Sequence, residues 1–282
     1  MRNQYLQLPL IRVPAPRRFV QPRMHTELDR QAISSLINLA FLVEGQHPYT
    51  AGHMWRVARF STLLGRNLGL GNHDIMTLRV AALLHDLGKV MIPVEILSKP
   101  GALSQDEFAI VKAHPKVGSE LIRRYSVGDT LEEIIRHHHE SYDGNGYPDS
   151  LRGEEILPSS RIIAIADAFD ALTSARPYRK AMSIGKALAI LVEQKDRQFD
   201  GSLISAFLDI PAGELKPVIG HTPKGMPLIE CLSCGAVISV CKSIKDGDIV
   251  LCRICSERFQ LHQRRKIFSP NRNATSRIAS GA

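Results

Sequence analysis

Residues Thr77 to Lys89 read TLRVAALLHDLGK. The stretch from Thr77 to Asp86 predicts an apolar helix that is stopped by Gly88, and the end of that helix carries His85 and Asp86 side by side. An imidazole and a carboxylate there are metal-ligand types placed where a packed interior begins. Outward from this point, helical spacing recurs at Ile33, Leu36, Ile37, Ala40 and Phe41, and again at Val57, Phe60, Leu64 and Leu68. Ser104 with Glu107 forms a capping box for a helix ending near Pro115. Further helices are predicted over 115–125, 130–139, 160–174 and 183–196. Strand-like alternation is essentially absent before residue 225, so the main domain is expected to be all-α.

The chain has 282 residues, 44% of them hydrophobic, enough for one large core and a small second module. Its longest apolar run is Ala187 to Val192, far too short to span a bilayer, so no membrane insertion is expected. The first apolar stretch is broken by Pro9 and lacks the pattern of a secretory signal, which predicts a cytoplasmic protein. The net charge of +8 sits at the ends, since residues 1–24 and 256–282 each contribute +5 and the chain between them is slightly acidic. Basicity is therefore poor evidence that the core binds nucleic acid. Composition divides the chain into a flexible, proline-rich basic leader (1–24), a helical domain (25–208), a Pro/Gly-rich linker (209–227), a cysteine module (228–262) and a basic tail (263–282).

The candidate metal ligands are His53, His85, Asp86, His114, His138, His139 and Asp167. They outnumber what one tetrahedral ion can use, so two metals are expected, with Asp86 best placed to bridge them. Imidazoles and carboxylates suit borderline or hard divalent ions such as iron, manganese or zinc. Such a pair activates water and neutralises charge at phosphorus, which makes phosphodiester hydrolysis the natural chemistry. Lys89, Arg176 and Arg179 are cations available for phosphate oxygens. His137 is read as the bystander of the triple histidine, and Asp170 either ligates or holds a ligand by hydrogen bond.

The motifs at these residues resemble the HD-GYP family of HD-domain phosphodiesterases, across roughly residues 28 to 208. His85 to Lys89 is similar to the family's H-D-[LI]-G-K. Ile92-Pro93, Ile96 to Gly101 and His114-Pro115 follow it in order. His138 to Pro148, HHESYDGNGYP, fits H-H-E-x-x-D-G-x-G-Y-P, and Asp167 to Arg179 resembles the last ligand and R-P-Y segment. The resemblance implies a helical HD-domain bundle that hydrolyses cyclic di-GMP to linear pGpG and/or GMP. It implies the seven ligands named above around two divalent metals, most often iron or manganese. Asp86 and Lys89 would be catalytic, and Lys89, Tyr147, Arg176 and Arg179 would contact substrate. A cyclic di-GMP synthase (GGDEF) domain is a potential partner for the glycine-rich loop. Tyr49 stands where some members carry a carboxylate for a third metal, which predicts a binuclear site. Another cyclic dinucleotide or nucleotide as substrate, or an inactive cyclic di-GMP receptor that signals through the cysteine module, are the alternative readings.

Cys231-x-x-Cys234 and Cys252-x-x-Cys255 have the spacing of a single structural zinc site in a zinc-ribbon-like β module. Val237 to Val240 and Asp248 to Leu251 would be its strands, joined at Asp246-Gly247, with Cys241 a spare thiol. A protein or nucleic-acid partner is expected for that module.

Overall fold

A computed structural model of the protein describes residues 27–45, 52–99, 101–125, 128–175 and 179–220. It also describes the short segments 228–230, 237–239, 247, 249–251, 258–260 and 269–270. Through residue 220 the described regular structure is helical. Helices α1 (Glu27–Gly45), α2 (His53–Asn67) and α3 (Asn72–Leu84) are followed by a 3-10 turn (Leu87–Met91) and by the short α4 (Val94–Leu97). Then come α5 (Gln105–Lys112), α6 (His114–Ile122), α7 (Gly128–Arg136), α8 (Pro158–Thr173), α9 (Ile184–Glu193), α10 (Gly201–Leu208) and α11 (Ala212–Leu215).

Local chemistry accounts for several helix ends. Ser104 Oγ accepts from the Glu107 amide and Glu107 Oε2 accepts from the Ser104 amide, which is the predicted capping box at the start of α5. At α2 the preceding residue is Gly52, with φ of 80° and no side chain to cap the helix, and a remote group takes over: Glu44 Oε1 accepts from the Met54 amide at 2.8 Å. Asp200 caps α10 through the amides of Ser202 and Leu203 while also pairing with Arg161 on α8 at 2.5 Å.

The core is built where α2 packs against α3 and α8. Phe60, Leu64, Leu78, Leu84, Ile135, Ile163 and Phe169 are among its fully buried side chains. Each contributes roughly 1.5–3 kcal/mol by leaving water. Ile210, Leu215 and Val218 join this core, so helical packing runs on past residue 208.

Gly88 is needed for closeness rather than for stopping a helix, because α3 has already ended at Leu84. A Cβ at Gly88 would fall on the His114 carbonyl and the Gly118 amide, at the contact between the 3-10 turn and α6. Gly88→Ala is expected to cost about 1–3 kcal/mol through overpacking. For a domain of this size that lowers Tm by roughly 2–4 °C per kcal/mol, as thermal unfolding would show. An unchanged Tm would refute this close approach.

The zinc-ribbon-like module expected from the cysteine spacing is corrected. The segments meant to form one ribbon lie in two separate sheets: β1 (Leu228–Glu230) pairs with β2 (Val237–Ser239), whereas β3 (Ile249–Leu251) pairs with β4 (Arg258–Gln260), and β4 with β5 (Ser269–Pro270). The expected hairpin between 237–240 and 248–251 is not formed among the described residues. Pairing instead spans the connections 231–236 and 252–257, because the spacing of cysteines along a chain does not specify which strands pair. Cys231, Cys234, Cys241, Cys252 and Cys255 lie outside the described residues, as do Tyr49, Arg176 and the leader. The fold supported is the all-α bundle.

Candidate metal centre

Three of the histidines sit just beyond helix C-termini: His85 follows α3, His114 comes two residues after α5, and His138 two residues after α7. The last carbonyls of a helix lack intrahelical partners, and here they hold imidazoles. Nδ1 of His85 lies 2.8 Å from the Ala82 carbonyl, that of His114 2.7 Å from Val111, and that of His138 2.7 Å from Ile135. A carbonyl can only accept, so each Nδ1 carries the proton and each Nε2 presents a lone pair to the interior. Three helix C-termini thereby converge on one place, and their dipoles favour a cation there.

The lone pairs are left without protein donors. His85 Nε2 is buried with no hydrogen-bond partner, and Nε2 of His114 lies 3.3 Å from Nε2 of His138, two acceptors facing each other. Asp86 lies between them, with Oδ1 3.2 Å from His114 Nε2 and Oδ2 3.5 Å from both His85 Nε2 and His53 Nε2. His53 Nε2 is also 3.3 Å from Asp167 Oδ1, which comes from α8. Two groups able to hold an ion result, His53–His85–Asp86 and His114–His138–His139, each with ligand atoms within 4.8 Å of one another. Orphaned acceptors on either side of one carboxylate fit a pair of divalent cations.

Electrostatics agree with this. Burial, reinforced by neighbouring histidines, holds His138 and His139 well below the ordinary imidazole range, and burial takes His85 to about 4. These rings are neutral at physiological pH, the form that ligates metals. Burial opposes ionisation of Asp86, but Lys89, with Nζ 2.6 Å from Oδ2, and the adjacent histidines outweigh it and keep the carboxylate charged. His53 is raised to about 10, because hydrogen bonds to Asp170 and Asp86 and the charge of Asp167 overcome its burial.

The protein-family model described as "HD domain" matches residues 37–203. The chain belongs to the HD-domain family. Among curated relatives, it is 41% identical over 187 residues to the cyclic di-GMP phosphodiesterase response regulator RpfG of Xanthomonas campestris pv. campestris, covering 64% of this chain and 49% of that one. It is 42% identical over 184 residues to the 3'3'-cGAMP-specific phosphodiesterase 3 of Vibrio cholerae, covering 64% and 40%. The chain thus spans about half the length of these relatives or less. An HDG"Y"P protein from Bdellovibrio bacteriovorus shares the fold, with a TM-score of 0.50, 22% identity and coverage of 64% of this chain and 62% of that one. The match to the HD-domain model ends before the first cysteine.

Residues to which the sequence reading gave no structural role hold the HD domain's loop in place. Glu140 is buried and accepts from the amides of Asp149 (2.7 Å) and Leu151 (3.2 Å). His137, read as a bystander, turns away from the metal-facing rings and sets Nε2 2.9 Å from Asp149 Oδ2, while Arg136 grips the same carboxylate through two bonds. Arg136 holds Asp149 at about 2, overcoming its burial with help from His137. That contribution is present above the unfolded-state value near ~3.9 and is lost as pH falls through about 2. His137, Glu140 and Asp149 are close enough to hold an ion, but Arg136 and two amides already satisfy the carboxylates. This cluster is a clamp.

The clamped loop delivers Tyr147, whose amide donates to the His139 carbonyl at 3.2 Å and whose ring lies 5.0 Å from the His139 ring. Gly146 permits the approach, since a Cβ there would fall on the Glu140–Ser141 backbone. Burial, together with Asp167 and Asp86, raises the Tyr147 phenol, which stays a donor at neutral pH. Lys112 Nζ sits 5.3 Å over the Tyr147 ring. Arg179 donates to the Ala171 carbonyl on α8. Glu140 is a fixed position of the H-H-E motif, but no signal in one sequence marks Asp149 or Lys112, because their roles come from contacts outside any motif. No helix among the described residues is long and apolar enough to cross a membrane.

Proposed function

We propose that the HD domain is a di-metal phosphodiesterase acting on a cyclic dinucleotide, with His53, His85, Asp86, His114, His138, His139 and Asp167 as ligands. The observation that carries this reading is Asp86, whose two oxygens are directed to different histidine groups. Two bound divalent ions, of which iron or manganese suits the donor set, supply Lewis-acid activation of water and charge neutralisation at phosphorus.

The chain's own residues do the rest. His85, His138 and His139 stay neutral and hold their lone pairs inward, while Asp86 balances charge between the two groups. Lys89, half-buried beside Asp86, offers its ammonium to a non-bridging phosphate oxygen. Tyr147 offers an aromatic face and a protonated phenol at the edge of the site, and Lys112 adds positive charge there. Arg176 and Arg179 follow α8 as further candidates for phosphate.

Cyclic di-GMP is the favoured substrate, and cyclic GMP-AMP is the second reading, because curated relatives at nearly equal identity are named for one or the other. The metals act on phosphorus and do not read the base. Anaerobically purified, metal-loaded protein is expected to linearise cyclic di-GMP faster than cyclic GMP-AMP or cyclic di-AMP when products are followed chromatographically. Preference for cyclic GMP-AMP would reverse the substrate assignment. Metal-loaded protein with no turnover of any of the three would favour a receptor.

A further inference from the structure

His53 is held differently from the other inward-facing histidines. Where His85, His114 and His138 use backbone carbonyls, His53 sets Nδ1 2.8 Å from Oδ2 of Asp170, a carboxylate on a different helix. Asp170 is 1% exposed, and an anion so buried requires a counter-charge. Arg56, 2% exposed, supplies it, with Nε 2.5 Å from Oδ1 and Nη2 3.0 Å from Oδ2. Ser174 completes the arrangement, accepting from Arg56 Nη2 at 3.1 Å. Arg56 lies one turn after His53 on α2, and Ser174 one turn after Asp170 at the end of α8, so the clamp ties the two helices together.

We infer that Asp170, fixed by Arg56, is the positioning residue that makes His53 a metal ligand, by accepting a hydrogen bond from Nδ1–H and so turning Nε2, the metal-facing nitrogen, toward Asp86 and Asp167. The inference rests on the two-metal reading. A carboxylate that orients a ligating imidazole also raises its basicity, and loss of such a partner costs about 10–100-fold in metal affinity. The distances place His53 Nε2 between the two acids, 3.5 Å from Asp86 and 3.3 Å from Asp167, where an ion shared with them would sit.

The same geometry separates this role from simple cross-linking of α2 and α8. In Asp170→Asn, the single amide oxygen is drawn to Arg56, because a guanidinium can only donate. The amide NH2 then faces His53 Nδ1, which must accept, and the proton moves to Nε2, where it blocks the metal. Removing the guanidinium as well, in Arg56→Gln/Asp170→Asn, frees the amide oxygen to turn to His53. A purely structural clamp predicts the opposite order, with the double variant worse than the single.

The test is titration of the metal-free full chain with Mn(II), following the free ion by electron paramagnetic resonance. Wild type is expected to bind two ions. In Asp170→Asn one site weakens by about 10–100-fold while the other stays within a few-fold, and the double variant regains most of the loss. Folded Asp170→Asn with both affinities within twofold of wild type would overturn the inference and leave the two-metal reading intact. Wild type that takes up no Mn(II), Co(II) or Zn(II) would overturn both. Should Asp170→Asn fail to fold, nitrogen-15 NMR of histidines in Zn(II)-loaded wild type decides: a proton on His53 Nδ1 supports the inference and one on Nε2 sinks it.

Discussion

Asp86→Ala is expected to lower phosphodiesterase turnover by about three orders of magnitude, the scale of several kcal/mol of lost transition-state stabilisation. Metal content should fall with it, from two ions per chain to one or none. Asp86 is the carboxylate whose separate oxygens approach His114 on one side and His53 and His85 on the other. It is also the anion against which Lys89 is held. Its removal leaves two sets of lone pairs with nothing between them and an ammonium with no partner. Asp86→Asn keeps the shape and loses the charge, so a similar loss in both variants assigns the effect to charge. Elemental analysis and turnover on the same preparations check this, with circular dichroism to establish folding. Hydrolysis and two ions retained in folded Asp86→Ala would mean that the centre lies elsewhere.

Phe169→Ala is expected to destabilise the domain by about 3–5 kcal/mol, the range for truncating a fully buried aromatic. Phe169 is 0% exposed and meets Phe60 edge-on at 5.0 Å and Phe207 at 5.0 Å, joining α8 to α2 and α10. It stands between Asp167 and Asp170 on α8. Its packing therefore sets the rotation of the helix that presents one carboxylate toward the metal centre and the other to His53. The loss should appear in the urea midpoint at unchanged m-value, together with weaker metal binding. Phe169→Leu, which keeps most of the volume, should cost much less. Equal stability of Phe169→Ala and wild type would mean that this aromatic contact is absent in solution.

Much of the centre was legible in the sequence because its ligands are chemically unusual in apolar helices. His85 and Asp86 end a buried run, and His138-His139 head a glycine-rich motif, so residue type and position together singled them out. Asp170 was a candidate to hold a ligand, but which residue holds which ligand was not legible. Asp170 is 117 residues from His53 in the chain, and no periodicity links them. His137 looked superfluous beside two metal-facing neighbours, yet Asp149 gives it a partner. Gly88 read as a stop signal, whereas its requirement comes from the backbone of α6.

The cysteine spacing shows the opposite failure. Two C-x-x-C pairs suggested one ribbon, but spacing along a chain does not specify which strands pair. In the structure β2 belongs with β1 and β3 with β4.

By itself the sequence determined the helical class of the main domain, through apolar spacing, and the residue types gathered for metal chemistry, through motifs local in the chain. Only the tertiary structure decided that three helix C-termini lend carbonyls to three imidazoles, that Asp86 faces two groups at once, and that Asp170 reaches His53. The physical reason is that local pattern specifies what a segment can form and which face it buries. The partner of a buried polar atom is set by packing between segments far apart in the chain.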